Sequence, residues 1–102
     1  MKDMKIEQGE VVDILIEDKE AVKARLLVSK TVDDTPIIDV EEPFIDGKAQ
    51  ITLLNAQTDK PAGDYIYQIR LYDADGEYIV LDGDCDDCTL AKFVICPVIK
   101  GV

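Results

Sequence analysis

The stretch 61–82, PAGDYIYQIRLYDADGEYIVLD, restricts more than any other what this chain can become. Tyr65, Tyr67, Ile69 and Leu71 recur at every second residue, which sets them on one face of a β-strand. Ile66, Gln68, Arg70 and Tyr72 take the other, more polar face. Asp73-Ala74-Asp75-Gly76 is turn chemistry, because Asp accepts tight turns and Gly adopts positive φ without steric cost. Residues 77–81 return as the partner strand, bringing Tyr78 opposite Tyr72 beside the turn.

The remaining segments supply further strands. Residues 1–10 read as a loosely held polar lead-in punctuated by Gly9. Val12, Ile14 and Ile16 alternate with Asp13 and Glu17 in a half-buried strand, and 17–20 is a charged turn. In 21–32, Val22, Ala24, Leu26 and Val28 share one face, with Lys23, Arg25 and Ser29 opposite. EDKEAVKARLLVSK also fits a short amphipathic helix, but Val28, Thr31 and Val32 and the neighbouring strands favour the extended form. PIIDV (36–40) is a short strand with Pro36 at its start, where no ladder donor is lost, and Glu41-Glu42-Pro43 ends it. Residues 44–47 turn the chain into strand 48–54, whose inner face is Ala49, Ile51 and Leu53. Residues 55–63 have room for one helical turn capped by Asn55. Residues 89–99, TLAKFVICPVI, form a nearly continuous apolar strand with Pro97 at its edge or end. About seven short strands without alternating helices predict an all-β domain of two packed antiparallel sheets.

A chain of 102 residues is expected to be one domain, and 47% hydrophobic residues supply a core without disulfides. It contains no apolar run long enough for a transmembrane helix, and MKDMKIEQGE lacks the apolar core of a secretory signal. The expectation is a protein that stays where it is made or is built into something assembled there. The net charge of −11 argues against nucleic acid as a partner and favours solubility. There is no histidine, and Ser29 is the lone serine, so Ser-His-Asp and Cys-His catalysis are excluded.

The most unusual local feature is Asp82-Gly83-Asp84-Cys85-Asp86-Asp87-Cys88. Asp82, Asp84 and Asp86 have the spacing that opens an EF-hand loop, and their hard oxygens suit Ca²⁺. The match then fails, with Asp87 where the loop needs Gly and Phe93 where it needs Glu. Cys85 and Cys88 form a C-x-x-C pair, and Cys96 is a third thiol, one short of a Zn²⁺ shell. The flanking Asp residues work against a reactive thiolate. The plainest reading is a solvated acidic loop between strands, with no cofactor and with Cys96 packed as a small apolar residue. Tyr65 and Tyr67 read as core residues rather than a carbohydrate platform. Carboxylates are abundant, but nothing singles out a catalytic pair, so no enzymatic activity is expected.

Ile51-Thr52-Leu53, residues 55–60, the strand Pro61-Ala62-Gly63-Asp64-Tyr65-Ile66-Tyr67-Gln68-Ile69-Arg70-Leu71 and the turn Asp73-Ala74-Asp75-Gly76 together form a pattern. It resembles the immunoglobulin-like N-terminal domain of phage baseplate upper proteins and related phage tail and fibre modules. Gln8-Gly9-Glu10 before the first strand fits as well. The resemblance covers about half the chain and departs from the family at Gly83, where the acidic cysteine loop precedes the last strand. It implies an immunoglobulin-like β-sandwich of about seven antiparallel strands, acting as a non-enzymatic structural or adaptor module. The partners it implies are other virion proteins or further copies of the chain, with no membrane. The location it implies is the virion, after synthesis in the bacterial cytoplasm. The contact residues expected are Ile66, Arg70 and Tyr72 on the hairpin strand, with Phe93, Ile95 and Val98 on an apolar edge strand. The competing expectation is a small Ca²⁺- or carbohydrate-binding module using loop 82–87.

Overall fold

The computed structural model describes residues 3–76, 78–80 and 91–99, which are β-structure, turns and loops apart from one helical turn. The elements are β1 (Met4–Glu7), β2 (Val12–Glu17), β3 (Lys23–Ser29), β4 (Ile38–Pro43), β5 (Lys48–Leu53), α1 (Asn55–Thr58), β6 (Gly63–Tyr72), β7 (Tyr78–Val80) and β8 (Ala91–Cys96). A six-stranded sheet runs β1-β8-β6-β3-β4, with β7 also on β6, and β2 pairs with β5 in a two-stranded sheet. Ile16, Ile51 and Leu53 of the small sheet share one buried core with Leu26, Val28, Tyr67 and Phe93 of the large one.

β6 is the spine of the large sheet. Tyr65, Tyr67, Ile69 and Leu71 are buried and the residues between them half-buried, as period-2 alternation requires. The Tyr67 ring meets Phe93 edge-on, with centroids 5.9 Å apart and planes at 71°. The Tyr65 hydroxyl donates to the Pro61 carbonyl at 2.6 Å, so the buried ring keeps its polar tip satisfied. Gly76 closes the expected turn at φ 84°, its N–H donating to the Asp73 carbonyl. Tyr72 and Tyr78 are in register across β6 and β7. Segment 21–32 is indeed extended, with Ala24, Leu26 and Val28 buried along β3. Val22 precedes that strand and is exposed. Asp46 and Gly47 both take positive φ between Ile45 and Lys48, the two-residue turn that joins β4 to β5.

Several expectations are corrected. Residues 1–10 are not a loose lead-in, because Met4–Glu7 pair parallel with β8 and bury Ile6. Met4 and Ile6 have strand spacing but sit among charges, so their apolar signal is short. This parallel pair makes the large sheet mixed rather than antiparallel. The strand expected at 36–40 is displaced to Ile38–Pro43. Pro43 is tolerated because Phe44 N–H bonds the Val22 carbonyl, which makes Lys23 and Pro43 a non-hydrogen-bonded pair with the proline nitrogen turned away from β3. Asn55 does not cap its helical turn. Leu54 precedes the turn, its N–H donating to Gln57 Oε1, while the Asn55 amide donates to the Gly9 carbonyl at 2.6 Å. Thr58, fully buried, donates its hydroxyl to the Glu10 carbonyl at 2.6 Å and so ties the helical turn to the β1–β2 connection.

β7 and β8 lie on the same flank of β6. Val80 pairs with Arg70 and Ala91 with Tyr67, three residues apart along β6.

Candidate functional site

The outer face of the six-stranded sheet carries the densest polar arrangement among the described residues. In register, Arg25 of β3 lies between Glu41 of β4 and Arg70 of β6. Two like charges directly opposite destabilise a strand pair unless countered. Here Asp39 counters them: Arg25 Nε and Nη2 donate to its two carboxylate oxygens at 2.7 and 2.6 Å. Glu41 adds a longer contact to Arg25 Nε at 3.7 Å and pairs with Lys23 at 3.4 Å. Arg70 Nε donates to Gln68 Oε1 at 2.8 Å. The Lys23 ammonium stands 4.6 Å from the centre of the Tyr72 ring.

These contacts shift protonation. The hydrogen bond from Arg25 holds the Asp39 carboxyl below the ordinary Asp range, with further help from the positive charge of Arg25 and Arg70. The Tyr72 phenol is also lowered, first by its hydrogen bond with Arg25 and then, against some desolvation, by Arg70. The Arg25 guanidinium is correspondingly held more firmly in its charged form, by Asp39 first and Tyr72 second. Arg25 and Tyr72 are half-buried and Asp39 is exposed, so water screens these contacts and they order a surface more than they stabilise the fold.

Two shallow depressions flank the network. One, of about 360 Å³, lies between the loop after β3 and the middle of β6, against Leu27, Val32, Ile66 and Arg70. The other, of about 560 Å³, lies at the far end, against Val22, Lys23, Pro43 and Tyr72.

Of the expected contact residues, Ile66, Arg70 and Tyr72 share this face, half-buried. Phe93 and Ile95 do not present themselves to a partner. They are 0% and 1% exposed, because β8 is an interior strand covered by β6 on one side and β1 on the other. Val98, beyond the end of β8, is half-buried near Gln8 and Asn55. Asp82, Asp84, Asp86, Cys85 and Cys88 lie outside the described residues. Cys96 is a free, half-buried thiol in register with Glu7 of β1. Among the described residues, no three His, Cys, Asp or Glu side chains come together in a way that would hold a metal ion.

The residues that sequence reasoning did not single out are Arg25, Asp39 and Lys23. Strand alternation puts Arg25 and Lys23 on the outer face, but their partnership with β4 and Tyr72 depends on strand order.

Replacing Arg25 by Ala is expected to flatten the acid side of the stability profile. Asp39 has a lowered folded pKa, so its contribution is present above the ordinary Asp value and lost as pH falls through the folded one. In urea titrations the gap between wild type and Arg25→Ala should therefore close as pH drops from about 5 to about 2. Asp18 is lowered by backbone hydrogen bonds from Glu20 and Ala21, and its acid dependence should persist in both proteins. A gap independent of pH would contradict the Arg25–Asp39 assignment.

Comparison of the chain with protein-family models and with curated proteins finds no match.

Proposed function

We propose that this chain is an immunoglobulin-like β-sandwich that serves, without catalysis, as a structural or adaptor module of a phage or prophage virion, in its tail, baseplate or fibre. The strand order supports the fold part of this reading. Neighbours β8-β6-β3-β4 follow the G-F-C-C′ order of immunoglobulin sheets, and β2 with β5 corresponds to the B–E pair opposite. The pattern from Gly63 to Gly76 supports the virion part.

The observation that carries the adaptor role is the ordered outer face. Charge-assisted bonds hold Arg25, Asp39 and Tyr72 in place beside Arg70 and half-buried Ile66. A surface whose long side chains are already fixed loses less entropy on docking than a mobile one. The partners are other virion proteins or further copies of the chain.

Two measurements test this. Native mass spectrometry over a concentration series, under mild reductant, is expected to give a defined metal-free oligomer or a stable complex with a virion protein. Arg70→Glu with Tyr72→Ala should dissolve that assembly without unfolding the subunit. Particles purified after prophage induction in the source strain should contain the chain at fixed stoichiometry. Absence from particles would overturn the virion assignment, and a calcium-dependent monomer would favour the binding-module reading instead.

A further inference from the structure

A second surface lies on the opposite side of the molecule, at the small sheet. Among the described residues β2 pairs with β5 alone, so no described strand covers its other edge. The phase of the ladder follows from one bond. Asp18 N–H donates to the Gly47 carbonyl at 3.0 Å, and this pair continues the β2–β5 register. Hydrogen-bonded pairs alternate along an antiparallel ladder, so Val12, Ile14 and Ile16 bond across to β5. Asp13, Leu15 and Glu17 therefore turn their backbone N–H and C=O groups to that other edge.

The same three residues project their side chains from the outer face. Leu15 is 58% exposed, and at the end of the sheet Val11 and Leu54 are 49% and 58% exposed. Three exposed large apolar residues thus sit on one face beside a backbone edge that no described strand covers. The sequence of β2, VDILIE, has neither Pro nor Lys, so among the usual edge protections it carries negative charge alone. What brackets Leu15 is a pair of carboxylates, Asp13 and Glu17, the first accepting a 2.7 Å bond from Thr52 Oγ1.

We infer that this edge of β2 receives an extended strand from another protein, one with basic residues at positions i and i+4 and an apolar residue midway between them. Backbone bonds to Asp13, Leu15 and Glu17 supply the pairing, and cross-strand contacts supply the choice of partner. Lysine or arginine opposite Asp13 and Glu17 makes opposite-charge pairs, and an aliphatic residue opposite Leu15 covers it. A second copy of β2 fits poorly. Any register overlapping most of the strand sets the Asp13 and Glu17 carboxylates of the two copies opposite or diagonal to one another, where like charges repel. The net charge of −11 also draws basic segments and repels another copy. The inference does not depend on the virion reading.

The probe is a synthetic capped peptide, Lys-Thr-Val-Thr-Lys-Thr-Val, titrated into the ¹⁵N-labelled chain, with a second peptide carrying Glu in place of both Lys. The expected result is amide shifts confined to β2 and its neighbours, slowed exchange at the Leu15 and Glu17 amides, and no response to the Glu peptide. Leu15→Pro removes one outward N–H while sparing the β2–β5 ladder, and is expected to weaken binding about tenfold or more. If that variant does not fold, Asp13→Lys with Glu17→Lys carries the test, since it should lose the Lys peptide and gain the Glu peptide. No binding at millimolar peptide, equal binding of both peptides, or shifts mapping to Arg70 and Tyr72 would overturn the inference. A wild-type dimer with its β2 amides already protected would overturn it in favour of a second copy.

Discussion

Phe93→Ala is expected to remove about 3–5 kcal/mol of folding stability, the range for truncating a buried aromatic side chain. Phe93 is fully buried, lies in register between Met4 of β1 and Tyr65 of β6, and meets Tyr67 edge-on. Its loss takes away transferred apolar surface, opens a cavity among residues held by two neighbouring strands, and deletes an aromatic pair. Small domains have only about 5–15 kcal/mol in hand, and one of this size loses roughly 4–8 °C of melting temperature per kcal/mol. Urea denaturation should show a lower midpoint with an unchanged slope. Lys92→Ala, at an exposed position one residue earlier, should stay within about 0.5 kcal/mol of wild type. Were Phe93 a contact residue on an exposed edge, its truncation would instead leave the isolated subunit stable and weaken an assembly.

Ile6→Ala is expected to cost about 2 kcal/mol or more. Ile6 is 4% exposed and pairs in register with Ile95 of β8. Because β1 has only four residues and lies at the sheet margin, the loss saturates once the strand detaches as a unit. Hydrogen exchange separates the two regimes: detachment exposes the β8 amides that face β1 before the core opens. A value near zero would return residues 1–10 to the status of a loose lead-in.

These two positions show where the sequence is readable and where it is not. The alternation from Tyr65 to Leu71 is legible because a long amphipathic strand repeats its signal and a D-x-D-G turn fixes where it stops. The inner faces of β3 and β5 are legible for the same reason. The run 89–99 is not, since a nearly continuous apolar stretch suits an interior strand and a sticky edge equally, and only the presence of β1 beside it decides. β1 itself is too short to announce a period. On the candidate site, Ile66, Arg70 and Tyr72 follow from alternation alone. The Arg25–Asp39 pair does not, because it joins strands whose adjacency is a property of topology rather than of any local pattern.

The two pairings on one flank of β6 have a consequence for how this molecule can change. The ladder is anchored at Arg70 with Val80 and again at Tyr67 with Ala91, two fixed points roughly 10 Å apart along one strand. Register on either side is set by the pairs themselves and by the buried side chains of β6 and β8. β6 therefore fixes the positions of β7 and β8 separately, so a change that loosens Val80 from Arg70 leaves Ala91 held by Tyr67 and by the core.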